Sequence, residues 1–302
     1  PIQQKARMAI VFWDQSETKG TNSINPFIWF LQFDVDEVGL IKLQQRDHFI
    51  GIVIKELGAA IVAPDEQGNT ETLNNHPYSF TPDQNRQAAF NARVKLALKQ
   101  PASMYYEHAQ AYFTGQIDID KWQELTIQGV ADFAARINEL QNENGLINCF
   151  SELTIQTLSV LAATLEHSEI SYSLTEKIIE LQNVALDSND HETVFHLLRC
   201  LSGSKSQVIV RNQIKTLLEK DDLIEETLLL IIAGRFWSYL TDDEIRHLYF
   251  DRAAKHSNQQ LFHGVFADTV GIPETRQSVI GLLRDPNRTQ AVSRAIGALF
   301  NA

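Results

Sequence analysis

The run Phe27-Ile-Trp-Phe-Leu-Gln-Phe33 constrains the fold of this chain more than any other stretch. Read as a strand, it sets Phe27, Trp29, Leu31 and Phe33 on one face and Ile28, Phe30 and Gln32 on the other. It is too short for an independent helix, and its aromatics favour a strand. A strand apolar on both faces is expected to lie centrally and to be buried on both sides. Met8-Ala-Ile-Val-Phe-Trp13 is a second two-sided apolar run. The polar residues 14–25 between them read as an exposed hairpin loop. The expectation is an antiparallel pair, which cannot cover its own faces. A helix over residues 40–61, with Leu43, Phe49, Ile50, Val53, Ile54 and Leu57 on one side, would cover one of them. The chain opens Pro-Ile-Gln-Gln. Cover for the second face is therefore expected from later helices or from a segment preceding Pro1.

Beyond this hairpin the pattern changes. Residues 63–79 read as a long loop, and Thr81-Pro82-Asp83-Gln84 as a helix start with Thr81 as cap. Helices are predicted to about residue 99 and over 103–113, ending at Gly115. From residue 119 the sequence reads as helix, turn, helix. The expected segments are 120–140, 150–166, 174–186, 191–201, 207–219, 223–233, 242–255, 259–270, 274–283 and 288–300. Ser173 with Glu176, and Thr241 with Glu244, fit capping boxes. Asp187, Val194, Leu198 and Leu201 share their spacing with Gly203, Val210, Ile214 and Leu217, and with Asp285, Val292, Ile296 and Leu299. The first and third sets lie about three periods of ~33 residues apart, a length typical of helix-pair repeats. The predicted architecture is α+β but mostly α: an N-terminal unit over 1–117 with a small antiparallel hairpin, then helical hairpins over 118–302. The latter form a HEAT-like solenoid or an irregular bundle.

Composition narrows the function classes. The chain has 302 residues and a formal charge of −12, from 26 basic and 38 acidic residues. No basic stripe offsets that balance, which opposes binding to a phosphate backbone. No apolar run reaches the roughly 20 residues of a membrane span. Cys149 and Cys200 lie outside any Cys-x-x-Cys pattern and read as buried free thiols of a reducing cytoplasm, although a disulfide stays open on sequence alone.

Several strings carry a family resemblance: Ile10-Val-Phe-Trp13, Pro26-Phe-Ile-Trp-Phe-Leu31, Asp36-Glu-Val-Gly-Leu40, Arg46-Asp47 and Tyr105-Tyr-Glu-His-Ala-Gln-Ala-Tyr112. Together they resemble an uncharacterised gammaproteobacterial family described as a domain of unknown function. The resemblance implies an additional N-terminal segment and brings no activity with it. Asp285-Pro-Asn-Arg-Thr-Gln-Ala-Val-Ser-Arg-Ala-Ile-Gly-Ala-Leu299 is similar to the second half of a HEAT repeat, which implies stacked helix pairs and a protein-binding surface.

Catalytic and metal-binding patterns are sparse. His191-Glu-Thr-Val-Phe-His196 spaces its histidines i, i+5, roughly 140° apart on a helix, so they cannot share a zinc ion as i, i+4 histidines do. No phosphate loop, nucleophile elbow or dinucleotide fingerprint occurs. Asp34, Asp36 and Glu37 could offer oxygens to a metal, but such clusters are more often solvated strand exits. Arg235, Trp237 and Tyr239, followed by Tyr249 and Arg252, combine the residue types that dominate binding hot spots, and the same residues could equally wedge repeats together. The leading expectation is a cytoplasmic scaffold or adaptor that binds a protein partner through this surface, without cofactor, metal, membrane or nucleic acid. The alternative is an enzyme or small-molecule binder with Asp34, Asp36, His76 and Tyr105 around a cleft between the two parts.

Overall fold

A computed structural model of the chain describes residues 5–13, 27–36, 39–62 and 76–300, with side chains of 56–62 excepted. It divides into two compact units, Pro1–Pro82 and Asp83–Ala302. The division falls at Pro82, where the sequence pattern placed it near residue 117. The helices over 84–97 and 106–113 pack on later helices of the second unit.

In the first unit β1 (Lys5–Phe12) and β2 (Phe27–Asp34) pair antiparallel, from Lys5 opposite Asp34 to Phe12 opposite Phe27. The predicted loop over 14–25 lies outside the described residues, as do 63–75 of the predicted loop over 63–79. β2 is central, because its other edge bonds the segment after residue 76: the Gln32 amide donates to the Tyr78 carbonyl (2.7 Å) and the Phe80 amide to that of Phe30 (3.1 Å). Trp29, Leu31 and Phe33 are buried against Tyr78 and against Phe49 of α1 (Leu43–Val62). The other face is half-buried: Phe80 meets Phe30 edge-on, and the Arg7 guanidinium lies 5.3 Å over the Phe80 ring. Two-sided burial therefore fails: one face is buried at Trp29, Leu31 and Phe33 but opens at Phe27, which is 44% exposed, and the other is only half-buried. The predicted apolar side of α1 also divides. Phe49 and Val53 face the sheet, whereas Leu43, Ile50 and Ile54 are 63%, 45% and 65% exposed. At about 100° per residue that set spans too wide an arc for a single contact.

The second unit is helical among its described residues. Its longer helices are α2 (Gln84–Ala97), α3 (Tyr106–Phe113), α4 (Ile127–Ala135), α5 (Leu140–Cys149), α6 (Ile155–Leu165), α7 (Tyr172–Asp187), α8 (His191–Cys200), α9 (Gln207–Glu219), α10 (Glu226–Arg235), α11 (Asp243–Lys255), α12 (Gln259–Gly271), α13 (Pro273–Gly281) and α14 (Gln290–Leu299). Each even-numbered helix from α2 to α12 packs on the next even one. Among the odd ones α3 packs on α5, α5 on α7 and α9 on α11. The Gln213 side chain of α9 bonds that of Gln182 on α7 (2.8 Å) and carries the second row from α3 to α11, while α13 packs on α12 and on residues 237–241. The unit is thus two rows of helices joined alternately, with one continuous apolar core between them. All three spaced sets of the sequence contribute to it: Val194, Leu198, Leu201, Val210, Ile214, Leu217, Val292 and Ile296 are buried, and Leu299 packs against the core.

Helix starts follow side-chain caps, though not always the expected ones. Asp83, Ser171 and Asp242 cap α2, α7 and α11, where Thr81, Ser173 and Thr241 were predicted. The predicted helix over 120–140 resolves into a 3-10 turn, Ile119–Glu124, and α4. The sequence reading missed α5, because Gln-Asn-Glu-Asn-Gly145 looks like a loop. Asn142 instead spends its amide on buried partners, donating to the Arg136 carbonyl (2.9 Å) and the Tyr106 hydroxyl (3.0 Å).

Candidate functional site

The cleft candidates carry local partners. In the first unit the Asp34 carboxylate accepts a bond from Gln45 (2.8 Å) with Lys5 and Lys42 at 4.0 Å. Asp36 Oδ1 accepts the Leu40 amide (2.9 Å), and Glu37 lies outside the described residues. His76 is packed edge-on to Trp29 and Phe49 and tilted against Tyr78, and burial pushes its pKa down. Its Nδ1 accepts the Tyr78 amide (3.1 Å), so the neutral ring carries its proton on Nε2, 3.3 Å from Ser79 Oγ. Ser79 Oγ also lies 3.4 Å from Nδ1, whose lone pair already accepts the Tyr78 amide. Tyr105 belongs to the second unit, where it is 45% exposed at the start of α3.

The aromatic–arginine candidates disperse. Tyr249 is fully buried, and its hydroxyl donates to the Leu229 carbonyl (3.0 Å). Arg252 donates to the carbonyls of Leu218 (2.7 Å) and Glu219 (3.2 Å), closing the end of α9, and pairs with Asp221. Trp237 and Tyr239 are half-buried on the 3-10 turn Trp237–Thr241. Arg235 makes the most consequential contact. Its Nε and Nη2 grip Glu166 Oε2 (2.9 Å) and Oε1 (3.1 Å), and Arg199 grips the same two oxygens at the same distances. One carboxylate thereby ties the ends of α6, α8 and α10. Burial would raise its pKa, but the two guanidinium forks outweigh that and hold it at about 2. Arg93 and Ser202 donate to the carbonyls of His167 and Glu166, so donors also cover the end of α6. Arg86, His167, Ser202, Gly234 and Arg235 surround Glu166 in an open depression of about 370 Å³. The arrangement is a staple in which two guanidinium groups share one carboxylate.

A different surface stands open at the same edge, where each even helix turns into the next odd one. Met104 and Tyr105 precede α3, Leu140 opens α5, Tyr172 opens α7 and Val208 lies in the first turn of α9. They are 87%, 45%, 77%, 54% and 71% exposed. Tyr105, Leu140, Tyr172 and Val208 follow one another at 35, 32 and 36 residues, one per helix pair. Bonds between neighbouring helix starts hold them side by side. The Tyr106 hydroxyl donates to Glu139 (3.1 Å), Ser171 to Glu143, and Thr175 and Ser204 share a 2.7 Å bond. The sequence reading passed over Leu140 and Tyr172, each an isolated apolar residue beside polar ones, and Val208, which opens the apolar run Val208-Ile209-Val210. The signal was their recurrence at the repeat period.

Among the described residues no three His, Cys, Asp or Glu side chains are placed to share a metal ion. His191 sits 2.6 Å from Glu225, and His196 is turned toward Glu192. No described helix is long and apolar enough to cross a membrane. A family model described as Protein of unknown function (DUF3549) matches residues 1–300, and the chain belongs to that family. No curated protein and no solved structure matches it.

Proposed function

We propose that this family member is a protein-interaction scaffold of a bacterial cytoplasm, and that its second unit is an array of HEAT-like helix pairs presenting one binding edge. The observation that carries the reading is the recurrence of an exposed large apolar side chain at the same place in four successive helix pairs. Isolated exposed apolar residues are ordinary on any surface, but a row of them joined side by side marks a contact surface. Tyr105 and Tyr172 add side chains suited to hot spots, apolar in body and polar at the tip. Two alternating rows of helices and the Asp285-Pro286 start before α14 support the HEAT-like assignment. Cys149 and Cys200, both buried and unpaired, suit a reducing compartment. The acidic balance of the chain works against nucleic acid.

The test is affinity capture from native lysate with the wild type and a Leu140→Ser, Tyr172→Ser variant of equal thermal stability. The expected result is a discrete set of proteins retained by the wild type and lost by the variant. Identical profiles from both would sink the assignment of this edge.

A further inference from the structure

Resting on that reading, we infer that the partner presents a basic, apolar, extended segment, with large apolar residues about three positions apart and Lys or Arg between them. Three of the four apolar residues have a carboxylate in the same helical turn or the next; the fourth, Val208, has Arg211 one turn on, and Arg211 is paired with Asp242 and Glu244. Glu107 follows Tyr105, Glu139 and Glu143 flank Leu140, and Glu176 follows Tyr172. These four carboxylates accept at most hydroxyl bonds: Glu139 from Tyr106, Glu143 from Ser171, and Glu176 from Tyr172 (2.6 Å). No ion pair involves them among the described residues. The cations nearby in sequence are engaged elsewhere. Lys177 pairs with Glu180, Lys205 with Glu169, and Arg136 is buried against Asp132. The arginines of the staple are held on Glu166 and on the His167 carbonyl, away from these four carboxylates, with which none of them forms an ion pair. Around Tyr105, Leu140 and Tyr172 the edge therefore offers apolar contacts beside carboxylates that no described cation pairs, and charge complementarity there selects a cationic partner.

Spacing sets the form of that partner. Packed helices lie about 8–10 Å apart, and a polyproline-II segment advances about 3.1 Å per residue with three residues per turn, so every third side chain returns to the same face and meets a new helix start. An anionic membrane surface or a nucleic acid would meet the same carboxylates with like charge.

A display library of random twelve-residue peptides, selected against the whole chain, tests the inference. Two comparison proteins are needed: the Leu140→Ser, Tyr172→Ser variant, and a Glu107→Gln, Glu139→Gln, Glu176→Gln variant, both checked for unchanged thermal midpoints. Peptides rich in Lys or Arg with Leu or Phe at i, i+3 should be enriched, and each variant should weaken their binding by about tenfold or more, with added salt weakening it further. Enrichment of acidic or uncharged peptides, or none beyond that seen with the variants, overturns it. The lysate capture separates the two levels. If the variant loses captured proteins while no basic peptide is selected, the scaffold reading stands and the basic partner falls. If neither experiment distinguishes wild type from variant, both fall.

Discussion

Glu166→Gln isolates the staple, because it keeps the shape of the side chain and removes its charge. A carboxyl held at about 2 in the folded chain, against an ordinary 4.5, contributes about 3 kcal/mol, at roughly 1.4 kcal/mol per tenfold shift in proton affinity. That agrees with the 3–5 kcal/mol typical when one member of a buried ion pair is removed, and the Glu166 side chain is only 4% exposed. The sign follows from linkage. The folded pKa is depressed, so the contribution is complete above the unfolded value near 4.5 and disappears as pH falls through about 2. Urea unfolding of wild type and variant, followed by fluorescence and circular dichroism together, should give a stability difference of about 3 kcal/mol at pH 7. The difference should shrink progressively between pH 4.5 and pH 2, where the wild type protonates and the variant has nothing to protonate. A difference that stays constant across that window would show that the variant acts through packing, and the charge argument would be wrong.

Three further outcomes follow from the packing. Gly203→Ala places a Cβ 1.7 Å from the Ser168 carbonyl oxygen, so thermal unfolding should show a loss of more than about 3 kcal/mol, while Gly234→Ala, with no atom within 4 Å, should be neutral or stabilise by up to about 1 kcal/mol; the reverse order would refute the turn contact. Tyr249→Phe removes only the hydroxyl that bonds Leu229 and should cost about 1 kcal/mol in urea unfolding, and no loss would mean that bond adds nothing net. Burial pushes the thiols of Cys149 and Cys200 up to about 11 and about 12, so Ellman's reagent at pH 8 should leave both untouched in the native protein and titrate both in guanidinium; rapid native labelling of either would contradict its burial.

Much of the architecture was legible because periodicity records it directly. The β2 run announced its buried face, and α9 begins and ends where its pattern does. Exposure within a pattern was harder to read. Leu43, Ile50 and Ile54 look like core by composition, yet they lie beyond the arc that Phe49 and Val53 share. Residue type misled more than pattern did. Arg235 and Tyr249 suggested a contact patch, but one is bound to a carboxylate 69 residues away in sequence and the other bonds a carbonyl in the core. Pairings of that range leave no mark on a single sequence. The candidate edge did leave one, at a period of about one helix pair, and became visible once the helix starts were placed.

The staple and the open edge belong to the same set of turns, and that relation gives the edge its capacity to bind. Glu166 closes α6 and Tyr172 opens α7, with a single short turn between them. That turn is locked to the next one: Ser202 Oγ donates to the Glu166 carbonyl (2.9 Å), and the Ile170 amide donates to the Gly203 carbonyl (3.0 Å). Gly203 is required there, since any side chain would meet Ser168. Arg199 and Arg235 extend the lock across three helix ends through one buried charge. A surface whose rungs are fixed before contact loses little further freedom on binding, so its apolar area converts more fully into affinity. A buried ion pair is a poor source of stability compared with apolar packing. Its place at this edge is better explained by the geometry it holds, which keeps successive helix starts in register for a partner that spans them.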